Sequence, residues 1–421
     1  MMKALVVGNG AREHIIAEKL AESSELYAFM GKKNPAIAKL SKDFKVGSLT
    51  DFDSIKKFSD GVDFVFVGPE EPLVNGIAEH IKNVVGPTKA AAMLEGDKGF
   101  CRDFLREKVG FGYPEYEVCS TYEEARRAME EIRDFVLKPA GLTGGKGVKV
   151  LGRQLKSTEG AKDYAKTLLK NGDVVVEERL EGEEFTLQAF CDGKRLVPMP
   201  LVQDHKYAYE GDRGPMTGGM GSYSAEDTLL PFLEKKDADE ALRIMKKTMA
   251  AIGYKGVIYG GFMSTSNGVK LLEYNVRFGD PEAINVLSLL KDDLSEVCLR
   301  ILDGNLGSVE FEKCATVCKY LVPEGYPDNP EKGVELSIKE PEKAKLYYAS
   351  VEEIDGKMYT TGSRALAILG KGNTIKEAEK IAEAGVSEVK TNNLWHREDI
   401  GKKKLIEKRI EHMRSLRSQK L

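Results

Sequence analysis

The sequence predicts a multidomain chain of α/β and α+β class, with a doubly wound parallel sheet at its N-terminus, a central α+β region and a smaller α+β domain at its C-terminus. Three observations predict it. A chain of 421 residues exceeds what one hydrophobic core ordinarily serves. Strand-like and helix-like runs alternate through residues 1–95, the pattern of βαβ units on a parallel sheet. Further on, two apolar runs, Val257 to Met263 and Val269 to Tyr274, flank Ser266-Asn267-Gly268, and Asn-Gly accepts the positive φ of a tight antiparallel turn.

Taken in order, Lys3 to Val7 reads as a strand, Arg12 to Ser23 as a helix, Leu26 to Met30 as a strand, Ser54 to Ser59 as a helix, Phe64 to Val67 as a strand and Leu73 to Asn83 as a helix. A helix from Asp97 to Glu107 carries Lys98. A second βα unit follows, with Thr121 to Ile132 helical, Phe135 to Pro139 extended and Glu159 to Lys170 helical. Residues 174–202 and 257–276 read as strands of another lobe, separated by the glycine-rich 211–221 and a helix over 238–252. A third region has strands, a Pro- and Gly-rich turn at 323–333 and a helix over 375–384. The domains expected are 1–100, 101–309 and 310–421.

Composition fits a globular protein, with 42% hydrophobic and 31% charged residues. No run approaches the roughly 20 apolar residues of a membrane helix, and the opening Met1 to Val7 lacks the apolar core of a signal peptide. A cytoplasmic protein without membrane or nucleic-acid partners is expected, as a monomer or small homo-oligomer. Net charge is −4, although residues 402–421 carry eight Lys/Arg against two Glu. Leu405, Ile406, Ile410, Met413 and Leu416 recur there at helical spacing, so the basic tail reads as an amphipathic helix. Six scattered cysteines form no disulfide or zinc framework; Cys314 and Cys318 lie on one face of a strand pattern, as buried thiols.

The chemistry concentrates in Glu273-Tyr-Asn275-Val-Arg277-Phe-Gly279-Asp280-Pro-Glu282. Alternation along a strand puts Glu273, Asn275 and Arg277 on one face. A carboxylate and an amide oxygen two residues apart suit a hard divalent cation, and the guanidinium suits an anionic group or developing negative charge. A second cluster, Val136 to Val150, sets Gly144, Gly145 and Gly147 between and beside Lys138 and Lys146, so that backbone N–H groups and two ammonium charges can surround a polyphosphate. It is not a Walker A loop, since Gly147 stands where that motif needs Ser or Thr. The apolar run Val174 to Val176 leads into Glu177, Glu178 and Leu180, a strand end able to offer backbone groups to an adenine and a carboxylate to a ribose.

The loop Gly8-Asn9-Gly10-Ala11-Arg12-Glu13 follows a strand and opens a helix, but the third glycine of the dinucleotide fingerprint is Glu13. The next strand also ends at Gly31 rather than in an acid, which disfavours NAD. Backbone donors at that helix start can still hold a phosphate.

Together these segments resemble the ATP-grasp ligases, whose nucleotide lies between two α+β lobes. The resemblance extends through Gln203-Asp204-His205-Lys206, Gly214 to Ser224 (with Thr217-Gly218-Gly219-Met220-Gly221), Gly68-Pro69-Glu70 and Arg397-Glu-Asp399-Ile-Gly401 to the phosphoribosylamine-glycine ligase family, almost end to end. The resemblance implies ATP-dependent joining of glycine to 5-phosphoribosylamine through glycyl phosphate, in purine biosynthesis. It implies Mg²⁺ or Mn²⁺ on Glu273 and Asn275. ATP would be held by Lys98, Lys138, Gly144, Gly145, Lys146, Glu177, Glu178, Leu180 and Glu184. Gly8, Asn9, Gly10, Arg12, Glu13 and Glu70 would bind phosphoribosylamine. Thr217 to Gly221, Gly279 and Asp280 would complete the substrate site, with Arg277, Asp204 and His205 acting in catalysis. The chain departs from the family pattern at Ala140, at Met216 and in Thr361-Gly362-Ser363-Arg364; the third region is expected to close one side of the amine site. Alternatives are a sister ATP-grasp ligase or carboxylase, and a non-catalytic nucleotide-binding protein.

Overall fold

A computed structural model describes residues 1–142, 147–389 and 393–419. At the N-terminus, β1 (Met2–Val7), β2 (Ser24–Met30), β3 (Asp43–Val46), β4 (Phe64–Val67) and β5 (Val84–Val85) form a parallel sheet in the order β3-β2-β1-β4-β5. Ala4, Leu5, Val6 and Val7 are fully buried, as befits a central strand covered on both faces. The strand order reverses between β1 and β4, so their carboxyl ends, at Gly8 and Gly68, flank the switch-point crevice where open α/β sheets bind ligands.

The helix expected from Leu73 to Asn83 is two short ones, Glu70–Val74 and Ile77–His80. Gly76, at φ +90°, breaks them apart in a conformation that periodicity does not register. The helix at Lys98–Phe104 is capped by Asp97 and widens into a π turn at Leu105–Val109.

The second βα unit folds as an antiparallel sheet, ordered Tyr116–Cys119, Val174–Glu178, Phe135–Pro139, Lys149–Val150. Helices Tyr122–Ile132 and Thr158–Leu168 pack on it, and Phe135, Leu137, Val174 and Val176 form its separate core. The large sheet has ten strands. Its main path runs Gly268–Asn275, Lys255–Thr265, Gly182–Asp192, Val202–Asp204, Gly221–Ser224, Ala315–Pro323, Leu366–Gly372, Lys345–Tyr348. The strand Ala315–Pro323 therefore pairs directly with Gly221–Ser224, and the position 309/310 separates strands of one sheet. Local patterning shows the hairpin strands and the run near Gly182–Asp192, but neither the short strand Gly221–Ser224 nor the non-local partners.

The hairpin at 255–275 forms as expected, with a bulge beside Gly261. Its strand ends at Asn275, so Arg277 lies beyond it rather than on a shared strand face. Cys314 is half-buried just before its strand, whereas Cys318 is fully buried. The helix Lys403–Ser418 buries Leu405, Met413 and Leu416, as its spacing predicts.

Candidate active site

At the switch point, the Glu13 carboxylate accepts the Gly10 N–H at 2.5 Å and Arg12 Nε at 2.6 Å. A Cβ on Gly68 would stand 2.1 Å from Glu13 Oε1, and one on Gly8 2.6 Å from Glu13 Cγ. These two glycines thus make room for a buried acid that caps its own helix, and the Gly10 donor is already engaged. Asn9 Oδ1 accepts the Gly31 N–H at 3.0 Å, and Arg12 Nη1 donates to Phe278 O at 3.1 Å.

Arg277 spans the N-terminal sheet and the hairpin. It donates to Glu70 at 3.2 Å and to Glu95 at 2.9 Å. Arg277 holds the Glu70 carboxyl down at about 2, whereas burial pushes Glu95 up to about 7 against the same guanidinium. Glu95 also accepts the Val276 N–H at 2.7 Å. With the Asn275 amide oriented to suit its neighbours, its nitrogen donates to Glu95 at 2.8 Å and to Tyr274 O at 3.3 Å, which leaves the amide oxygen for another partner.

Lys206 pairs with Glu273, and the charges of Lys98 and Lys138, from two other segments, also reach it. Lys206 lies 3.4 Å from both Glu273 and Glu184. Burial opposes the Glu273 charge, and Lys206, Lys138, Lys98 and Arg277 reverse that, holding its carboxyl below the usual range. Lys98 donates to Gly141 O at 3.0 Å; burial lowers it, and Lys138 adds to the effect. Glu273 keeps 40% of its side-chain surface exposed, so its carboxylate faces the cleft.

Glu177 turns its side chain inward. Its buried carboxylate takes Arg102 at 2.7 Å and Lys138 at 2.5 Å, and those two charges outweigh burial to hold it at about 2. The Glu177 carboxylate thus holds Lys138 and Arg102, while its backbone stays at the strand end. Glu178 accepts the Glu115 N–H at 2.9 Å, and Leu180 lies half-buried just past the strand end. Gly144, Gly145 and Lys146 lie outside the described residues.

Across the cleft, Thr217 donates through its N–H and hydroxyl to Lys206 O, at 2.7 and 2.9 Å. Arg364 donates to the carbonyls of Gly218, Gly219 and Asp280 at 2.7, 2.9 and 2.9 Å, and to the Asp280 carboxylate at 2.9 Å. Tyr320 donates to the same carboxylate. Gly219, at φ +112°, lies so near Asp204 that a Cβ would be 2.7 Å from Oδ1. Burial, and then the nearby Glu282, raise the Asp204 carboxyl. Gly279 donates to Gln188 at 2.8 Å, and Met220 and Gly221 join the large sheet through His205 and Lys319.

Asp204 and His205, adjacent in sequence, part company here. The His205 ring is buried, neither nitrogen has a partner among the described residues, and burial followed by Arg409 and Arg397 keeps it well below its ordinary value. It faces the C-terminal segment, while Asp204 faces Lys206, Glu282 and Arg364. The sequence assigns no site role to Lys206, Glu95, Glu282 or Arg364; all but Glu95 stand inside segments already singled out, and only the fold shows Glu95 and Arg364 reaching the cleft.

Among the described residues no three His, Cys, Asp or Glu side chains gather as a metal cage. The pair Glu273 and Asn275 fits an ion of the Mg²⁺ type, which takes one or two protein oxygens and fills its shell from phosphates and water.

A small antiparallel lobe facing a large sheet, with lysines from both around one carboxylate, defines a ligase of the ATP-grasp class. Models of the N, ATP-grasp (A) and C domains of phosphoribosylglycinamide synthetase match residues 2–95, 96–283 and 316–403. The phosphoribosylamine–glycine ligases of Methanocella arvoryzae and Pyrococcus furiosus are 49% and 48% identical, over 99% of this chain and 100% and 98% of theirs. The crystal structure of the phosphoribosylamine–glycine ligase from Thermotoga maritima matches with a TM-score of 0.82 at 29% identity, over 94% of this chain and 100% of that one. A biotin carboxylase from Campylobacter jejuni shares the fold, with a TM-score of 0.74 at 14% identity over 98% of this chain and 95% of its own. The chain belongs to the phosphoribosylglycinamide synthetase family.

Proposed function

We propose that this ligase joins glycine to 5-phosphoribosylamine at the expense of ATP, giving glycinamide ribonucleotide, ADP and phosphate. Support comes above all from near-half identity to phosphoribosylamine–glycine ligases along the whole chain, together with the pairing of Lys206 with Glu273 within reach of the charges of Lys98 and Lys138. A glycine carboxylate oxygen attacks the γ-phosphorus, the bond to ADP breaks, and glycyl phosphate forms. The amine of phosphoribosylamine then attacks the acyl carbon, loses a proton, and phosphate leaves.

The protein's part is positioning and charge neutralisation. Lys98 and Lys138 meet the phosphate chain, and Glu177 with Arg102 fixes Lys138. A divalent cation, Mg²⁺ or Mn²⁺, held by Glu273 and Asn275 supplies neutralisation of phosphate charge. Lys206 exchanges its pairing with Glu184 and Glu273 for phosphate oxygens. Leu180, Glu178 and Glu184 border the adenosine, and Gly144, Gly145 and Lys146 are assigned with the ATP-binding residues. Arg277, aligned by Glu70 and Glu95, faces the glycine carboxylate beside Thr217 to Gly221, Gly279 and Asp280. Asp204 lies toward the amine, and the Gly8 to Glu13 loop with Glu70 borders the phosphoribosyl group. We divide the chain into domains at 1–100, 101–309 and 310–421. We assign the enzyme to the cytoplasm, acting on small molecules as a monomer or small homo-oligomer.

The test is ADP release from Mg²⁺-ATP with glycine and freshly generated phosphoribosylamine, each omitted in turn. Release is expected to need all three; release supported by bicarbonate in place of glycine would overturn the assignment in favour of a carboxylase.

A further inference from the structure

The segment Arg397-Glu-Asp399-Ile-Gly401 lies outside the cleft, yet it is tied to the cleft's edge. Between Lys206 and Thr217 the chain makes a hairpin, Tyr207–Tyr209 against Arg213–Met216. Its base is closed by the bonds of Thr217 to Lys206 O, so any shift of the hairpin moves both residues. The fully buried Arg397 grips it at two points, donating to Tyr207 O at 2.9 Å and to Asp212 Oδ1 at 3.1 Å. Asp399 closes the ring, accepting Arg397 Nη2 at 2.8 Å and the Gly211 N–H at 2.8 Å. Arg409, on the terminal helix, reaches the other Asp212 oxygen at 2.9 Å and Glu183 at 2.5 Å. Asp212 sits at φ +60°, a left-handed conformation uncommon for a non-glycine residue and held when its surroundings over-determine it. On the opposite side Tyr207 OH accepts from Arg153 at 2.5 Å, which ties the hairpin to the small lobe.

We propose that Arg397 is a positioning residue for the ligation: through Tyr207 O and Asp212 it fixes the hairpin that carries Lys206 and Thr217 into the cleft. The guanidinium is the group for this, since its planar fork serves several acceptors at once where a lysine ammonium offers only a point charge. The inference rests on the reading that Lys206 and the Thr217 loop act in the reaction.

The test compares Arg397→Lys, Asp212→Asn and their double variant with the wild type, by KM for glycine, kcat and the rate of tryptic cleavage after the exposed Arg213. Each single variant is expected to cleave faster and to lose about 10²-fold in kcat/KM, the scale of a misplacement of roughly 1 Å. The double variant should be no worse than Arg397→Lys, because both changes release one hairpin. A lower thermal midpoint with unchanged KM, kcat and cleavage would assign Arg397 to stability alone and overturn the inference. If Arg397→Lys does not fold, Asp212→Asn, at a half-buried turn, decides the matter by the same three measurements. Lys206→Met separates the two levels: full activity in that variant overturns the site reading and the inference with it, whereas its inactivity beside normal Arg397 and Asp212 variants overturns the inference only.

Discussion

Two glycine-bearing loops border the cleft and are held in opposite ways. The Gly8 to Gly10 turn is closed from within, by Glu13 of the helix it opens. The Thr217 to Gly221 loop is closed from outside, by a guanidinium 146 residues away at Gly218 and by the carbonyl of Lys206. A loop closed by its own helix is a local property with local signals. One closed by a remote side chain exists only after the C-terminal part of the chain has docked.

Arg364→Met should break this comparison hardest. It removes three carbonyl contacts and leaves the Asp280 carboxylate without its cation, a loss of about 3–5 kcal/mol for a mostly buried pair. Denaturant unfolding should show that loss, with kcat falling alongside; normal kcat would mean that the loop keeps its shape without the guanidinium. Glu13→Gln is the milder counterpart. It keeps an oxygen for the Gly10 N–H but weakens the pairing with Arg12, for about 1.5–3 kcal/mol. Its kcat should stay near the wild-type value while kcat/KM for phosphoribosylamine falls, since the acid shapes the loop beside the phosphoribosyl group; an unchanged kcat/KM would confine Glu13 to capping its helix.

The smallest effect is pH-dependent and concerns His14, on that same first helix. Its Nδ1 accepts the Tyr348 N–H at 3.0 Å, and burial pushes it down to about 4. A lowered histidine contributes stability that is present above its unfolded value near 6.5 and is lost as pH falls toward 4. The loss approaches about 1.4 kcal/mol per pH unit inside that window. Glu95, raised to about 7, works with the opposite sign, favouring the fold as pH falls from 7 toward 4.5. The histidine contribution is therefore read as the difference in unfolding free energy between wild type and His14→Gln at about pH 7 and about pH 5.5, which should narrow at the lower pH.

Much of the fold is legible in the sequence wherever its cause is local. Phe64 to Val67 is a continuous buried run, Asn267-Gly268 makes a turn, and the terminal helix shows its apolar stripe. The break at Gly76 is not, because a single glycine within a helical pattern has no compulsory meaning. In the cleft, residue type and strand alternation suffice to single out Glu273 and Lys138. They do not show that Glu177 is spent on Lys138 and Arg102, since a buried and a ligand-facing glutamate at a strand end look alike in sequence. Arg364 and Glu95 escape for a related reason: each acts through contacts whose partners lie far along the chain.

The continuity of the large sheet has a consequence for synthesis. Strand Gly221–Ser224 leaves the ribosome well before Ala315–Pro323, its neighbour, and translation at about 5–20 residues per second leaves that edge open for several seconds. The cleft acquires Arg364 later still, and the hairpin beside it meets Arg397 after that. A nascent chain therefore sets Lys138 against Glu177 and Arg102 before the Thr217 to Gly221 loop has its guanidinium, and until Ala315–Pro323 emerges one strand edge of the large sheet stays open to other pairing.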